Sequence, residues 1–577
     1  MSVASRPYDA GADDPRGWMW LGLSIAALAI LASGVGIHNG FAYDDRWIIV
    51  DNVNVHSLNR PWELFGTTYW PTSRGAALYR PLTILLYAVQ WVLGAKSPLL
   101  FHLVNIGLYA ADCVLVLLLG LQCMPRSGAW VAAALFAVHP VHVEAVANSV
   151  GQAELWTVLV LLGAVLVYLR ERQGGVPLPP RAMAAILALF VGGMLIKENA
   201  IVLPALLVAV ECFLVRDERP WRARARELLT LLLWMTMFAV AYLWVRVLVT
   251  GAIGGDTQHP SLQRLSMGQR SLLMLGLVPR IGRLLVWPDH LFADYSPQMV
   301  PGYEGWTVNL IPGAMMLLCV AILFAVSWRR SPVACFGIAW FVIAYSPVSN
   351  ILIPSGILIA ERTFMAPSVG VVMVAGAAVP WVIERLKVRP RAMRLIPAGA
   401  LAIVLALGIS ESASRTATWK DSDTVFRTLV ADAPLDFKAH YAYGGMLWDQ
   451  KKGRDGELEW LLAIKLMPDY DGVRVDLAHR YRELHHCDAA VKLYRKALAD
   501  DPSLPLVRVG LIACYLQLGQ YRAARTESLV TKASGFDPRA LDYLIEVSDS
   551  ALVATDSGGG INQWTGHHRV RPRTKHR

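Results

Sequence analysis

Apolar stretches of ~16–23 residues, the length of a membrane-crossing helix, recur from residue 18 to residue 411 and then stop. In lipid there is no water for a backbone to bond, so each stretch must satisfy its own amides and carbonyls as a helix. Composition agrees, with 55% of the 577 residues hydrophobic and 17% charged, against about 25% charged in soluble domains. The expected fold class is all-α: a polytopic membrane helix bundle, then a soluble helical region. The first stretch, Trp18 to Ile37, has no small-residue cleavage site with a polar flank and is expected to remain as an anchor.

Arginine placement orients such a bundle, because basic loops stay on the cytoplasmic side. The clusters are Arg170 and Arg172 through Arg181, Arg216 to Arg226, Arg329 with Arg330, and Arg385 to Arg394. Eleven spans with the N-terminus inside fit all of them: 18–37, 100–121, 129–147, 154–170, 182–196, 199–215, 227–250, 307–327, 332–347, 367–384 and 395–411. Stretches 81–95 and 271–287 then do not cross. A crossing by 81–95 alone would turn two arginine clusters outward. The second stretch carries Arg280 and Arg283 within its apolar run, as a helix lying in the interface does. The net charge of +10 sits mostly in these loops and in the tail Arg569 to Arg577, which points to orientation and solvation, not to nucleic acid. The seven cysteines show no metal-ligand spacing and no disulfide framework, and are expected to be small core residues.

After residue 411 prolines recur at Pro434, Pro468 and Pro502, with Pro538 near the next step. Their period is that of tetratricopeptide repeats. Leu477, Ala478, Tyr481, Ala490, Tyr494 and Ala497 occupy the large and small positions where the two helices of a repeat pack. Gly444, Trp460 and Ala463, and then Leu511, Tyr515 and Ala524, continue the pattern on either side. About three repeats make a short solenoid able to bind peptide or protein. The tail from 551 to 577 is expected to be disordered.

Several polar motifs resist explanation by membrane packing, and on this topology all lie on the non-cytoplasmic side. The pair Asp44 and Asp45 follows the first span. It is either a solvated turn capping the next segment or a site where one carboxylate takes a proton. Arg80, after the aromatic stretch from Trp62 to Trp70, fits a sugar or lipid-phosphate contact and equally an interfacial aromatic belt. His139 and His142, with Glu144 nearby, have metal-ligand character but no identifiable third ligand, and a polar helix end serves equally well. Lys197 and Glu198 are a self-satisfied ion pair or part of a polar cavity. Arg362, fixed by Glu361, has the planar fork that clamps a phosphate.

Taken in order, Tyr43-Asp44-Asp45, Tyr79-Arg80-Pro81-Leu82, Phe101-His102-Leu103-Val104-Asn105, His139 through Val146, Lys197-Glu198, Asp294-Tyr295-Ser296 and Glu361-Arg362 resemble the transmembrane and tetratricopeptide-repeat-containing O-mannosyltransferases of the GT-C superfamily. The resemblance covers about residues 17 to 535 and suggests a prokaryotic-type relative. It implies transfer of a sugar from a polyprenyl-phosphate donor to a protein hydroxyl, with the base in the acidic pair, hence Asp44 or Asp45. Two departures stand out. Thr363-Phe364 follows the Glu-Arg pair where the family often has tyrosine. Gly151-Gln152-Ala153-Glu154 stands where the family usually has Gly-Arg-Ala-Asp, so an arginine contact to phosphate is in question there.

The expectations are then specific. Residues 1–17 form a cytoplasmic tail, and 18–411 a GT-C-like domain with first outer loop 38–99. Residues 412–550 form a non-cytoplasmic repeat domain. Asp44 and Asp45 are the catalytic candidates, Arg362, Glu361 and Arg80 the donor-phosphate candidates. Tyr43, His139, His142, Glu144, Lys197, Glu198, Asp294 and Tyr295 are the further substrate-site candidates. The expected chemistry is inverting hexose transfer to Ser or Thr from a lipid phosphate, with a protein or peptide acceptor held by the repeats and no nucleic acid. No obligatory metal or other cofactor is expected. The membrane is the plasma membrane in a bacterium or the endoplasmic reticulum in a eukaryote. The rival readings are a non-catalytic membrane scaffold for envelope proteins and a transferase acting on glycan or lipid.

Overall fold

The computed structural model describes residues 15–71, 78–252, 262, 265–295, 307–387, 391–533 and 538–556. The chain divides into two compact units, one ending at Ala439 and one beginning at His440. No strand occurs among the described residues. The expected all-α class, a polytopic helix bundle followed by tetratricopeptide repeats, is the observed one.

The first unit opens with α1 (Pro15–Ser33), α2 (Pro81–Leu93), α3 (Pro98–Cys123), α4 (Arg126–Ala137), α5 (Val143–Ala147) and α6 (Gln152–Arg172). It continues through α7 (Pro180–Ile196), α8 (Leu203–Phe213), α9 (Trp221–Thr250), α10 (Met267–Val286), α11 (Ile311–Ser327) and α12 (Pro332–Tyr345). It closes with α13 (Met365–Lys387), α14 (Arg391–Thr418), α15 (Ser422–Asp432) and the start of α16 (Phe437–Asp449). Among the described residues seven helical segments are long and apolar enough to cross a membrane: 17–38, 98–123, 149–172, 221–250, 308–327, 361–386 and 395–418. An eighth is the expected third span, which is broken. Pro140 has no amide to donate and its ring clashes with the preceding turn, so α4 and the segment from Pro140 through α5 meet at 50°.

The count of eleven is therefore not reached on length. Helix α7 has 17 residues, α8 only 11 and α12 only 14, against the ~20 needed to cross unaided. Helix α2 is short at 13 residues, and α10, carrying Arg270, Arg280 and Arg283, is not among the crossing helices. Both fit the expectation that stretches 81–95 and 271–287 do not cross. Helices α12 and α13 touch backbone to backbone, since a Cβ on Gly370 would stand 2.2 Å from the Gly337 carbonyl oxygen. Small residues allow that approach where lipid offers no hydrophobic drive for helix association.

Two of the loops expected on the cytoplasmic side, after α6 and after α8, meet in one ion network. Arg172, 1% exposed, binds Glu211 at 2.7 Å and Asp217 at 2.9 Å, and Arg219 and Arg224 complete the carboxylates' shells.

The second unit holds the rest of α16, then α17 (Gly453–Leu466), α18 (Asp471–Glu483), α19 (Cys487–Asp500), α20 (Pro505–Gln517), α21 (Tyr521–Ala533) and α22 (Pro538–Asp556). Leu477, Ala478, Ala490, Tyr494 and Ala497 are fully buried, as the repeat pattern requires. Helix α22 runs past residue 550, and the remainder of the predicted disordered tail lies outside the described residues, as do 1–14 and Ser296. The cysteines need one correction. Cys487 and Cys514 form a disulfide across α19 and α20, with Cα atoms 5.1 Å apart. Their 27-residue separation matches no short motif, and only the antiparallel packing of neighbouring helices brings them together. The free cysteines include buried Cys113 and Cys335, while Cys212 and Cys319 are exposed rather than core.

The repeat period also appears in the backbone. Lys451, His485 and Gly519 sit at successive steps of the period with φ of 63°, 63° and 69°. Each turns the chain between the two helices of a hairpin in a left-handed conformation that only glycine adopts without cost. His485→Gly should stabilise the second unit by about 0.5–1 kcal/mol, read as a higher denaturant midpoint with unchanged slope. The same replacement at Lys465, inside α17, should destabilise it by about 1 kcal/mol.

Candidate functional site

The loop after α1 begins with a short 3₁₀ turn and reaches Tyr43, whose φ of 55° is rare for a bulky residue. That left-handed step turns the two aspartates in different directions, and a π-helical turn from Arg46 to Val50 follows. Asp45 turns inward. It is fully buried and accepts amides from Ala42 at 3.1 Å, Ser149 at 3.2 Å and Val150 at 2.8 Å. Asp44 turns toward Arg362, with Oδ2 at 3.3 Å from Nη1 and the side chain 19% exposed. One aspartate staples the loop to the segment after α5, and the other is presented.

Arg362 also reaches Glu144. Nη1 is 3.1 Å from Oε1, and the Arg362 backbone amide donates to Oε2 at 2.9 Å. Glu144, 1% exposed, stands on the broken third span at α5. Residues 100 and more than 200 positions apart in sequence thus form one carboxylate–guanidinium–carboxylate bridge. With two carboxylates on its Nη1, the Arg362 charge is already balanced by protein. Glu361 is fully buried and accepts the Phe292 amide and the Tyr295 hydroxyl, each at 2.6 Å. It is a strut that fixes the Asp294–Tyr295 loop to the start of α13, not a group facing outward. Asp294 lies 3.6 Å from Lys438 Nζ. Asp436, near it, caps α16 through bonds to the Lys438 and Ala439 amides, and burial with the Asp294 charge pushes its carboxyl up to about 7.

A second cluster stands around Arg80. Its guanidinium grips Glu198 with two bonds, 2.9 Å and 2.6 Å, and lies 4.8 Å over the Tyr69 ring. Lys197 pairs with Glu154. Burial would raise the Glu198 carboxyl, but Arg80 outweighs it and holds it down to about 2. The Tyr69 phenol, under the Arg80 guanidinium, is also within electrostatic reach of Asp44 and Arg362, so the two clusters lie near one another.

Not every sequence candidate joins the site. His139 contacts the Leu285 carbonyl through Nε2 at 3.0 Å and accepts the Val141 amide at 3.2 Å. His142 is engaged by Ser368 at 2.8 Å, the Phe136 carbonyl at 3.0 Å and Tyr109 at 3.1 Å. Both rings hold the kink after α4 together. Tyr43 packs against Trp419 and Phe426. Gln152, where the family has arginine, closes an amide network with Gln90 and Asn105. Phe364 stacks on Tyr345. Lys438, Asp436 and Glu154 were not singled out in sequence. Glu154 had a signal in the motif position it fills, and the other two had none.

The second unit matches the tetratricopeptide repeat family over residues 481–540. Over more of the chain it is 26% identical to the protein O-mannosyl-transferase Tmtc3 of Drosophila melanogaster, covering 80% of this chain and 57% of that protein. The human protein O-mannosyl-transferases TMTC1 and TMTC4 match at 25% and 27%, covering 77% and 75% of this chain. The chain is similar to these TMTC O-mannosyl-transferases. It spans 55% and 64% of those two human proteins. An archaeal oligosaccharyltransferase from Archaeoglobus fulgidus aligns over 71% of this chain and 56% of its own, at 12% identity and a TM-score of 0.38, a likeness too low to carry an argument.

Arg362→Met strands Glu144 in a buried place without its partner, which costs ~3–5 kcal/mol. A fall in thermal midpoint is expected, with much of it recovered in Arg362→Met/Glu144→Gln. An unchanged midpoint in the single variant would show that the bridge does not hold the site together. Asp45 adds a pH signature. Burial pushes its carboxyl from 3.8 to about 7, against the three amides that favour the ion. The folded state then binds the proton more tightly than the unfolded one. Its contribution to stability falls as pH rises from about 4 to about 7. Asp45→Asn should flatten that part of the stability profile.

Proposed function

We propose that the chain is a glycosyltransferase that moves a hexose, mannose-like by kinship, from a polyprenyl phosphate to a serine or threonine hydroxyl of a protein. The single observation that carries this reading is the division of labour at the first outer loop. A partly exposed carboxylate, Asp44, is held by Arg362, and the cationic Arg80 lies over Tyr69 within electrostatic reach of it. Kinship with protein O-mannosyl-transferases supports it.

In this mechanism Asp44 takes the proton from the acceptor hydroxyl while that oxygen attacks the anomeric carbon. The bond from that carbon to the phosphate oxygen breaks on the opposite side, and its electron pair leaves with the phosphate. One base and one displacement give inversion. Asp44 is preferred over Asp45 because Asp45 is fully buried and its oxygens already accept three amides. Arg80 and Lys197 offset the charge developing on the leaving phosphate. Arg362, already facing two carboxylates, positions Asp44. The proposed step runs through no metal or organic cofactor.

The proposed site faces the non-cytoplasmic side, where the repeats would receive the acceptor. Two observations support that placement. Motifs assigned to outer loops converge around Asp44 and Arg80, while two of the basic inner loops meet separately around Arg172. A disulfide in the second unit suits an oxidising compartment. Non-reducing peptide mapping of protein from intact cells should recover the Cys487–Cys514 pair, and quantitative alkylation of both thiols would overturn the placement.

Purified enzyme, a synthetic polyprenyl-phosphate hexose and a serine/threonine peptide test the chemistry. Asp44→Asn should lower transfer about 10²–10⁴-fold with donor binding intact. Burial raises the Asp44 carboxyl above 3.8, with Arg362 opposing. Since the base must be ionised, wild-type transfer should rise with pH through a midpoint above that value. Full activity in Asp44→Asn would refute the assignment of the base.

A further inference from the structure

One buried cation belongs to neither bridge. Arg246 is 4% exposed and stands on α9, one turn before that helix ends at Thr250. Its side chain is within hydrogen-bonding reach of the Tyr242 hydroxyl, but its Nε has no partner and no carboxylate pairs with it among the described residues. Most neighbouring charges are engaged. Glu198 is gripped by Arg80, and Glu154 by Lys197. An arginine sequestered from water without a carboxylate costs several kcal/mol, and such residues in membrane helices default to function.

The helix aims it. Leu231, Met235, Tyr242 and Arg246 are the buried residues of α9 and share one stripe. Tyr242, four residues before Arg246 and on the same face, donates its hydroxyl to the Tyr79 carbonyl at 2.8 Å. That carbonyl belongs to the residue before Arg80. The Tyr242 phenol lies within electrostatic reach of Glu198, Arg246 and Arg80 together. Arg80 and Lys197 are each matched by one carboxylate, Glu198 and Glu154, and Arg246, near the first pair through Tyr242, adds a cation that no carboxylate matches. In the other cluster, Asp44 and Glu144 outnumber Arg362.

We propose that Arg246 is an anion-binding residue for the phosphate of the lipid-linked donor, completing a cationic subsite with Arg80 at the outer end of α9. This rests on the glycosyltransferase reading. It adds a phosphate ligand that no sequence motif marks, and it separates the two halves of the reaction in space. The donor phosphate lies at Arg80 and Arg246, and the proton acceptor lies at Asp44. A guanidinium supplies paired donors to phosphate oxygens, and loss of charge-assisted bonds of that kind weakens binding about tenfold or more.

The full-length protein in nanodiscs is titrated with a C20 isoprenyl phosphate, the matching isoprenol and inorganic phosphate. Wild type should bind the isoprenyl phosphate, with isoprenol and inorganic phosphate at least tenfold weaker. Arg246→Gln should weaken isoprenyl phosphate at least tenfold and leave isoprenol unchanged, and Arg246→Lys should recover part of the loss. Without ligand, Arg246→Gln should match or exceed the wild-type thermal midpoint, because it removes an unpaired buried charge. A merely structural arginine would lower it. Isoprenyl phosphate bound equally by wild type and Arg246→Gln overturns the proposal while leaving the transferase reading intact. Inorganic phosphate bound as tightly as the lipid overturns the lipid source. Wild type that binds no isoprenyl phosphate overturns the transferase reading, and the proposal with it. Asp44→Asn, run in parallel, should bind isoprenyl phosphate as wild type does.

Discussion

The bridge from Glu144 through Arg362 to Asp44 is the constraint on which the candidate site depends. It ties the loop after α1, the broken helix pair α4–α5 and the start of α13 to one guanidinium. None of its members is comfortable alone. Glu144 is 1% exposed and Arg362 is itself largely covered, and an isolated ion there would bear an uncompensated desolvation cost. Each partner offsets part of the other's desolvation, so movement of the loop carrying Asp44 would break a buried ion pair. The same bridge gives Asp44 a fixed direction while leaving part of it accessible, which is what a proton acceptor needs.

Helix breaks do much of the positioning. The kink at His139-Pro140 ends α4 early, and α5 then projects Glu144 sideways into the site. The two histidines there stabilise the freed ends by bonding Phe136, Leu285 and Ser368. Irregular backbone at membrane depth is tolerated where protein covers it, and these segments are among the most buried in the chain. The left-handed Tyr43 serves the same purpose on the loop by turning adjacent aspartates to different partners. Catalytic and structural roles can then occupy neighbouring positions.

Much of this was legible in the chain itself. Apolar length and periodicity marked the helical bundle, and proline spacing marked the repeats. The ordered polar motifs marked the residues that meet. Span number was less legible, because α7, α8 and α12 are apolar yet too short to cross unaided. The disulfide was hidden for a different reason. Cys487 and Cys514 are separated by a helix and a turn, and their meeting follows from packing rather than spacing.

The sequence by itself determined which side chains are chemically capable, because residue type and order are covalent. It put two carboxylates after the first span and arginines at 80, 246 and 362. Only the tertiary structure decided which of these are satisfied. Asp45 is closed off by three backbone amides and Asp44 is not. Arg80 and Arg362 face carboxylates, and Arg246 faces none among the described residues. The reason is that desolvation and charge pairing depend on neighbours in space. Those neighbours come from segments hundreds of residues apart, brought together by helix packing.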